Sequence, residues 1–415
     1  MLAWLSLAIV FATLVLIVIR PFGIVEAWVA LSGAALMVLM GILSIQDILS
    51  VLAETSGVLL FLLGMMVLTI VAEQAGVFDR VAEAFTSLSR GSGLLLFCYL
   101  FGLGALVTVF LSLDATIVIL TPVTFALVSR RRLDTLPFMF ACTFVANTAS
   151  LALPISNLTN LLVYTRLHLG FAAFAARMVL PAMVAVAVNL AIFLWLFRDR
   201  LPARFETIEA PGLGKVDGWF IIASVVLALT LLGVLALGLA DLPLAWAALA
   251  GGIILLGLGI LRGRVRLMEV VREVSWSLFV FVIGMFLVAR GVEQAWLVNL
   301  SLGLPTDPGR SLLAGMLGGA LGSNVVNNVP LTIVGLSLLS HMSGTAQQLA
   351  SYGLLIGANI GPALTTYGSL ATMLWLTLIR RRGIEVSTME YMKVGIVTVP
   401  PVLVAATFVL WLELR

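Results

Sequence analysis

The stretch VLLFLLGMMVLTIVAEQA at residues 58–75 returns as LFVFVIGMFLVARGVEQA at residues 278–295. Phe61, Gly64, Met65, Glu73, Gln74 and Ala75 recur as Phe281, Gly284, Met285, Glu293, Gln294 and Ala295, each displaced by 220 residues without a gap. Both copies are apolar runs close to the length of a bilayer-spanning helix. A duplicated apolar helix in one chain predicts a transporter built from two related halves. It also places the substrate site at matching positions in both.

The composition agrees. Hydrophobic residues make up 62% of the chain and charged residues 10%, and the mean hydropathy is +1.18. A soluble domain carries about 25% charged residues, so a polytopic membrane protein set in the lipid bilayer is expected. Few apolar runs alternate with period two, which argues against a β-barrel. The net charge of +3 is too small to predict a nucleic-acid partner. No G-x-x-x-x-G-K-[ST] motif is present, so the chain is read as a transporter and not an ATP-hydrolysing enzyme, with no cofactor. Its energy must come from an ion gradient or a separate subunit. Cys98 and Cys142 lie in apolar segments and suggest no disulfide, and two histidines, His168 and His341, are too few to predict a metal site. Residues 2–19 lack a basic start and a small-residue cleavage site, and read as a retained helix.

Each half reads as five spans and one apolar hairpin. The spans lie near 2–19, 24–43, 57–75, 135–165 and 171–197, and then near 219–239, 242–261, 276–294, 346–379 and 394–412. The hairpins lie near 93–129 and 310–341. The expected fold is therefore an all-α polytopic membrane protein of about ten spans. It has two inverted-topology repeats, each of five spanning helices plus one re-entrant hairpin, with broken helices at the midplane. The first repeat would cover 1–197, a cytoplasmic linker 198–218, and the second repeat 219–415. An odd number of spans per half inverts the second half. Alternating the loops between two sides leaves only Arg166, Arg177, Arg290, Arg310 and Arg415 of the 23 basic residues on one of them. By the positive-inside rule that side is outside, and both termini lie there. The runs Arg130–Arg132 and Arg380–Arg382 read as cytoplasmic anchors.

Polar residues interrupt both hairpins and the span after each. The first hairpin turns through LSLDATIVILTP at 111–122 and the second through GSNVVNNVPLTIVG at 322–335. The broken spans read ANTASLALPISNLTN at 146–160 and ANIGPALTTYGSLAT at 358–372. Polar groups at membrane depth are costly unless they line protein or water, so four paired breaks predict one shared site. Asp114 stands alone in an apolar stretch, at a cost of roughly 2.5–3.5 kcal/mol. It is the candidate proton-coupling residue, with a helix cap as the structural alternative. Asn147, Thr148, Ser156, Asn157, Asn324, Asn327, Asn328, Asn359, Thr365, Gly368 and Ser369 are the candidate substrate-binding residues. Ser150 and Thr366 add hydroxyls. Gly361 and Pro362 are expected to loosen the second break. Glu73 and Glu293 sit at helix ends. An Arg290–Glu293 pair one helical turn apart is the plain reading there, and a gate or a second proton group is the alternative.

At these motifs the chain resembles the ArsB-type arsenite and antimonite efflux transporters of the ion transporter superfamily. The likeness runs through LDATIVILTPV, FVANTASLALPISNLTNLLV, SNVVNNVPLTIVG and the long C-terminal stretch 357–403. The resemblance implies a cell-membrane antiporter that exchanges protons for neutral trihydroxides of trivalent arsenic or antimony. It also implies, in some members, a soluble ATPase subunit. The chain departs from the family in carrying Leu113, not Asn, before the acid. A sodium–proton antiporter of the same superfamily is the main competing reading.

Overall fold

A computed structural model of the chain describes residues 2–19, 25–205, 217–296 and 305–413. Among these residues the regular structure is entirely helical. The first half runs α1 (Leu2–Ile19), α2 (Glu26–Leu39), α3 (Ile45–Gln74), α4 (Val77–Leu88), α5 (Gly93–Phe110), α6 (Leu113–Arg130), α7 (Thr135–Ala149), α8 (Leu158–Arg166) and α9 (Phe171–Leu196). The second runs α10 (Gly218–Leu239), α11 (Ala245–Leu261), α12 (Leu267–Glu273), α13 (Trp276–Trp296), α14 (Pro308–Val326), α15 (Asn328–Leu339), α16 (Gly344–Ile360), α17 (Leu370–Arg380) and α18 (Thr388–Glu413). Among the described residues α3, α5, α6, α9, α10 and α18 are each long and apolar enough to cross a membrane. The pair α12–α13, bent by 43°, adds a seventh candidate.

Local chemistry sets the helix starts. Ser44 and Asp47 form a capping box at α3. Ser92, Asp134, Asp217 and Asp307 each accept a hydrogen bond from an amide in the first turn of α5, α7, α10 and α14.

The repeated glycines are crossing points between the halves. Gly64 of α3 lies against the backbone of Ala248 in α11, and Gly284 of α13 lies against the backbone of Ala30 in α2. A side chain at either position would run into main chain, so small residues are needed where the helices cross. The pairs α3–α11 and α2–α13 are therefore counterparts. Gly353 and Gly357 of α16 bring that helix against the main chain of Leu312 and Met316 in α14 in the same way. Gly361 abuts Ala320, so it serves close packing and does not simply loosen the break.

The broken spans α7–α8 and α16–α17 sit on an aromatic core. Phe140 and Phe144 of α7 meet Trp375 of α17, Tyr391 of α18 and Phe193 of α9, with ring centroids 5.1–5.9 Å apart. One expected bound is corrected, and three features lie beyond the expectation. The span expected at 57–75 begins at Ile45 and is 30 residues long. The amphipathic α4 follows it unforeseen. Arg131 has a partner that was not foreseen: its Nη2 donates to Glu83 Oε2 of α4 at 2.9 Å, and both side chains are largely buried. The start of the polar linker is docked, because Gly93 N donates to Pro202 O at 3.1 Å and Phe205 N to Gly91 O at 2.7 Å. Linker residues 206–216 lie outside the described residues.

Candidate functional site

Each polar break ends in a short turn from which a new helix starts. Ser112 Oγ accepts from Ala115 N and caps α6, and Asn157 Oδ1 accepts from Thr159 N and caps α8. Asn327 Oδ1 accepts from Val329 N and caps α15, and Ser369 Oγ accepts from Thr372 N and caps α17. Asp114 is thus not the cap of its helix. Thr108 and Thr116 share a hydrogen bond of 2.8 Å between the arms of the first hairpin, where α6 opens into a π-turn over Thr116–Leu120. π-Turns of this kind cluster at functional positions.

The first residues of α6, α8, α15 and α17 line one cavity of 370 Å³. Asp114, Asn157, Asn328 and Ser369 are in its wall, with Ser112 beside them. No hydrogen bond or ion pair reaches the Asp114 carboxyl or the Asn328 side-chain amide from the described residues. Both groups are left to the cavity. Among the described residues no basic side chain lines it. Four helix N-termini supply partial positive charge in its place, which favours the oxygens of a bound solute and the carboxylate of Asp114. The exposed Glu273, Ser275, Ser277 and Thr377 also line it, next to Arg272 and Arg380, so its mouth lies at the arginine-rich end.

The acids exceed the expectation. Glu26, Glu73 and Glu273 line the same cavity as Asp114. Glu73 is a wall residue and not merely a helix end. Arg290 also makes a contact between helices. Its Nη2 lies 2.7 Å from both carboxylate oxygens of Glu54. The side chain of Glu293 lies outside the described residues.

The other expected site residues stand behind the wall. Asn359 Oδ1 accepts from Asn157 Nδ2 at 2.6 Å and from Ser150 Oγ at 2.8 Å. Its Nδ2 donates to Asn160 Oδ1 and to Leu355 O, each at 2.8 Å. Asn359 therefore ties the two broken spans together and holds Asn157 in the wall. Asn160, not singled out in the sequence, closes the network by donating to Ser150 O and Leu153 O. Asn324 donates to Gly361 O at 2.8 Å and accepts from Thr365 Oγ1 at 2.7 Å, and Asn327 Nδ2 donates to Tyr367 O at 3.3 Å. Gly368 O accepts from Asn328 N at 3.0 Å. Ser156 Oγ donates to Val109 O at 2.8 Å and fixes the first break to α5. Asn147 and Thr148 turn away from the cavity. Asn147 Nδ2 donates to Thr143 O in its own helix, and Thr148 Oγ1 accepts from Asn189 Nδ2 of α9. Thr366 is buried and does not line the cavity.

A sequence profile of the ArsB family, described as arsenical pump membrane protein, matches residues 5–414. The chain belongs to the ArsB family. Two ArsB relatives called arsenical pump membrane protein come from Yersinia enterocolitica and Escherichia coli K12. Each is 30% identical to this chain; the alignment covers 97% of both chains for the first and 98% of both for the second. This ArsB-family chain is accordingly an integral membrane protein of a transport family. Its fold is similar to that of the Alcanivorax borkumensis YdaH transporter, whose crystal structure is described as having an unusual topology. The TM-score is 0.63 at 15% identity, over 90% of each chain.

Proposed function

We propose that the chain is a secondary transporter that exports arsenite and antimonite as neutral trihydroxides in exchange for protons. The observation that carries this reading is the cavity wall. It joins four helix N-termini with a carboxyl and an amide that have no partner among the described residues, and among those residues it holds no basic side chain. Arsenious acid is an uncharged, oxygen-rich solute near neutral pH. It needs hydrogen-bonding partners and positive partial charge, not a counter-ion. An uncharged solute gains nothing from the membrane potential, so concentrating it outside requires coupling to an ion. Asp114 supplies that coupling by binding a proton when the solute leaves and releasing it when the solute enters. Asn157, Asn328 and Ser369 hold the solute, and Asn359 positions Asn157.

The halves act as inverted repeats, with the arginine-rich end in the cytoplasm and both termini outside. The cavity is then open inward. The broken-helix elements move against the crossed pairs α3–α11 and α2–α13 to expose it on the other side. A soluble ATPase subunit, where present, would add to this cycle and not replace it.

The test is arsenite uptake into everted vesicles under an imposed pH gradient. Wild-type protein accumulates arsenite, and Asp114→Asn does not. Uptake retained by Asp114→Asn sinks the coupling role. The extra acids of the cavity favour one second reading, a sodium–proton antiporter. Collapse of the pH gradient by sodium, with no response to arsenite, would decide for it.

A further inference from the structure

The large cavity has a small counterpart. Met66, Thr69 and Ile70 of α3 line the large one. Displaced by 220 residues, the same positions are Phe286, Ala289 and Arg290 of α13, and these line a second cavity of 30 Å³. The match extends to other helices. Ile119 of α6 and Leu374 of α17 face the large cavity, and Ile333 of α15 and Leu162 of α8 face the small one. The two cavities are thus built from equivalent parts of the two halves, at opposite ends of the molecule. One is open. The other has room for water and no room for a three-oxygen solute.

Charged side chains line the small one. Glu54 of α3 meets Arg290 of α13 at 2.7 Å and Arg166 at the end of α8 at 3.9 Å, and all three residues line the small cavity. The equivalent of Arg290 at the open end is Ile70, which cannot make such a bond. The ions therefore mark a difference between the two ends. The Glu54 and Arg166 side chains are 47% and 39% exposed, so the attraction is modest, as suits a contact that must open in every cycle.

We propose that the small cavity is the closed exit vestibule, and that Glu54, Arg290 and Arg166 form the ionic latch that shuts it. The proposal rests on the alternating-access transport reading given above. The latch is joined to the solute by one short helix. α8 begins beside Asn157 in the wall of the large cavity and ends at Arg166. A shift of Asn157 as the solute binds or as Asp114 changes its proton thus reaches the latch directly.

The experiment introduces Ser337→Cys, a residue of the small cavity, into a protein with Cys98→Ser and Cys142→Ser. Labelling by a membrane-impermeant maleimide is timed on intact cells. Slow labelling is expected with the latch present. Glu54→Gln and Arg290→Gln should each speed it by about fivefold, and Glu54→Asp should not. The exchange Glu54→Arg with Arg290→Glu should restore the slow rate. Labelling of Thr377→Cys from the cytoplasmic side should fall as labelling of Ser337→Cys rises. Unchanged Ser337→Cys labelling in both Glu54→Gln and Arg290→Gln overturns the latch. So does faster labelling at both ends together, which would signal general loosening. The readout needs no arsenite flux, so failure of the arsenite reading and failure of the latch are distinguishable.

Discussion

Asp114 and Asn328 occupy the same place in the two hairpin turns, and only one of them can titrate. Both were legible in the sequence, since a polar side chain in an apolar stretch must face protein or water. Their neighbours were legible as positions but not as contacts. Asn147 and Asn359 fall at matching breaks, yet Asn147 bonds within its own helix and Asn359 bonds across to Asn157, Ser150 and Asn160. Repeat alignment assigns positions. The rotamer depends on which helix happens to lie opposite. The three glutamates of the cavity were hidden for a related reason, because a helix-end acid becomes a wall only after the helices assemble. The Asn359 network has a measurable consequence. Asn359→Leu removes the shared partner of three buried polar groups and should cost roughly 1–3 kcal/mol. A lowered midpoint of thermal unfolding in detergent would show it. An unchanged midpoint would mean that the network does not hold the breaks together.

At the scale of elements, the apolar runs of the sequence became the long helices, and the interrupted spans became α7–α8 and α16–α17. The amphipathic α4 is not legible in the sequence because it is too short and too polar to resemble a span. Its place is set by the buried Glu83–Arg131 pair, a contact 48 residues apart in sequence. Gly64 and Gly284 are a repeat in the sequence and points of close helix contact in the structure. Gly64→Leu and Gly284→Leu should each push apart one of the two crossed pairs, at roughly 1–3 kcal/mol. Gly57, with nothing near it, is the control on α3, and Gly57→Ala should be tolerated. The comparison is the yield of monodisperse protein and its unfolding midpoint. Equal behaviour of Gly64→Leu and Gly57→Ala would rule out the close crossing.

For the whole molecule, two halves of similar design frame one large cavity and one small one. The duplication and the bias of arginines toward one end were visible in the sequence. Which end holds the large cavity was not, because that depends on how the helices of the two halves pack against one another. The same logic makes the solute and the proton reciprocal. If a proton gradient drives arsenite, an arsenite gradient must drive protons. The most direct measurement therefore uses purified protein in liposomes carrying a pH-sensitive dye, with arsenite added on one side and no imposed pH gradient. The account predicts a proton flux driven by arsenite for wild-type protein and none for Asp114→Asn. Arsenite that equilibrates across wild-type liposomes without moving protons, or an Asp114→Asn protein that still moves them, would contradict it.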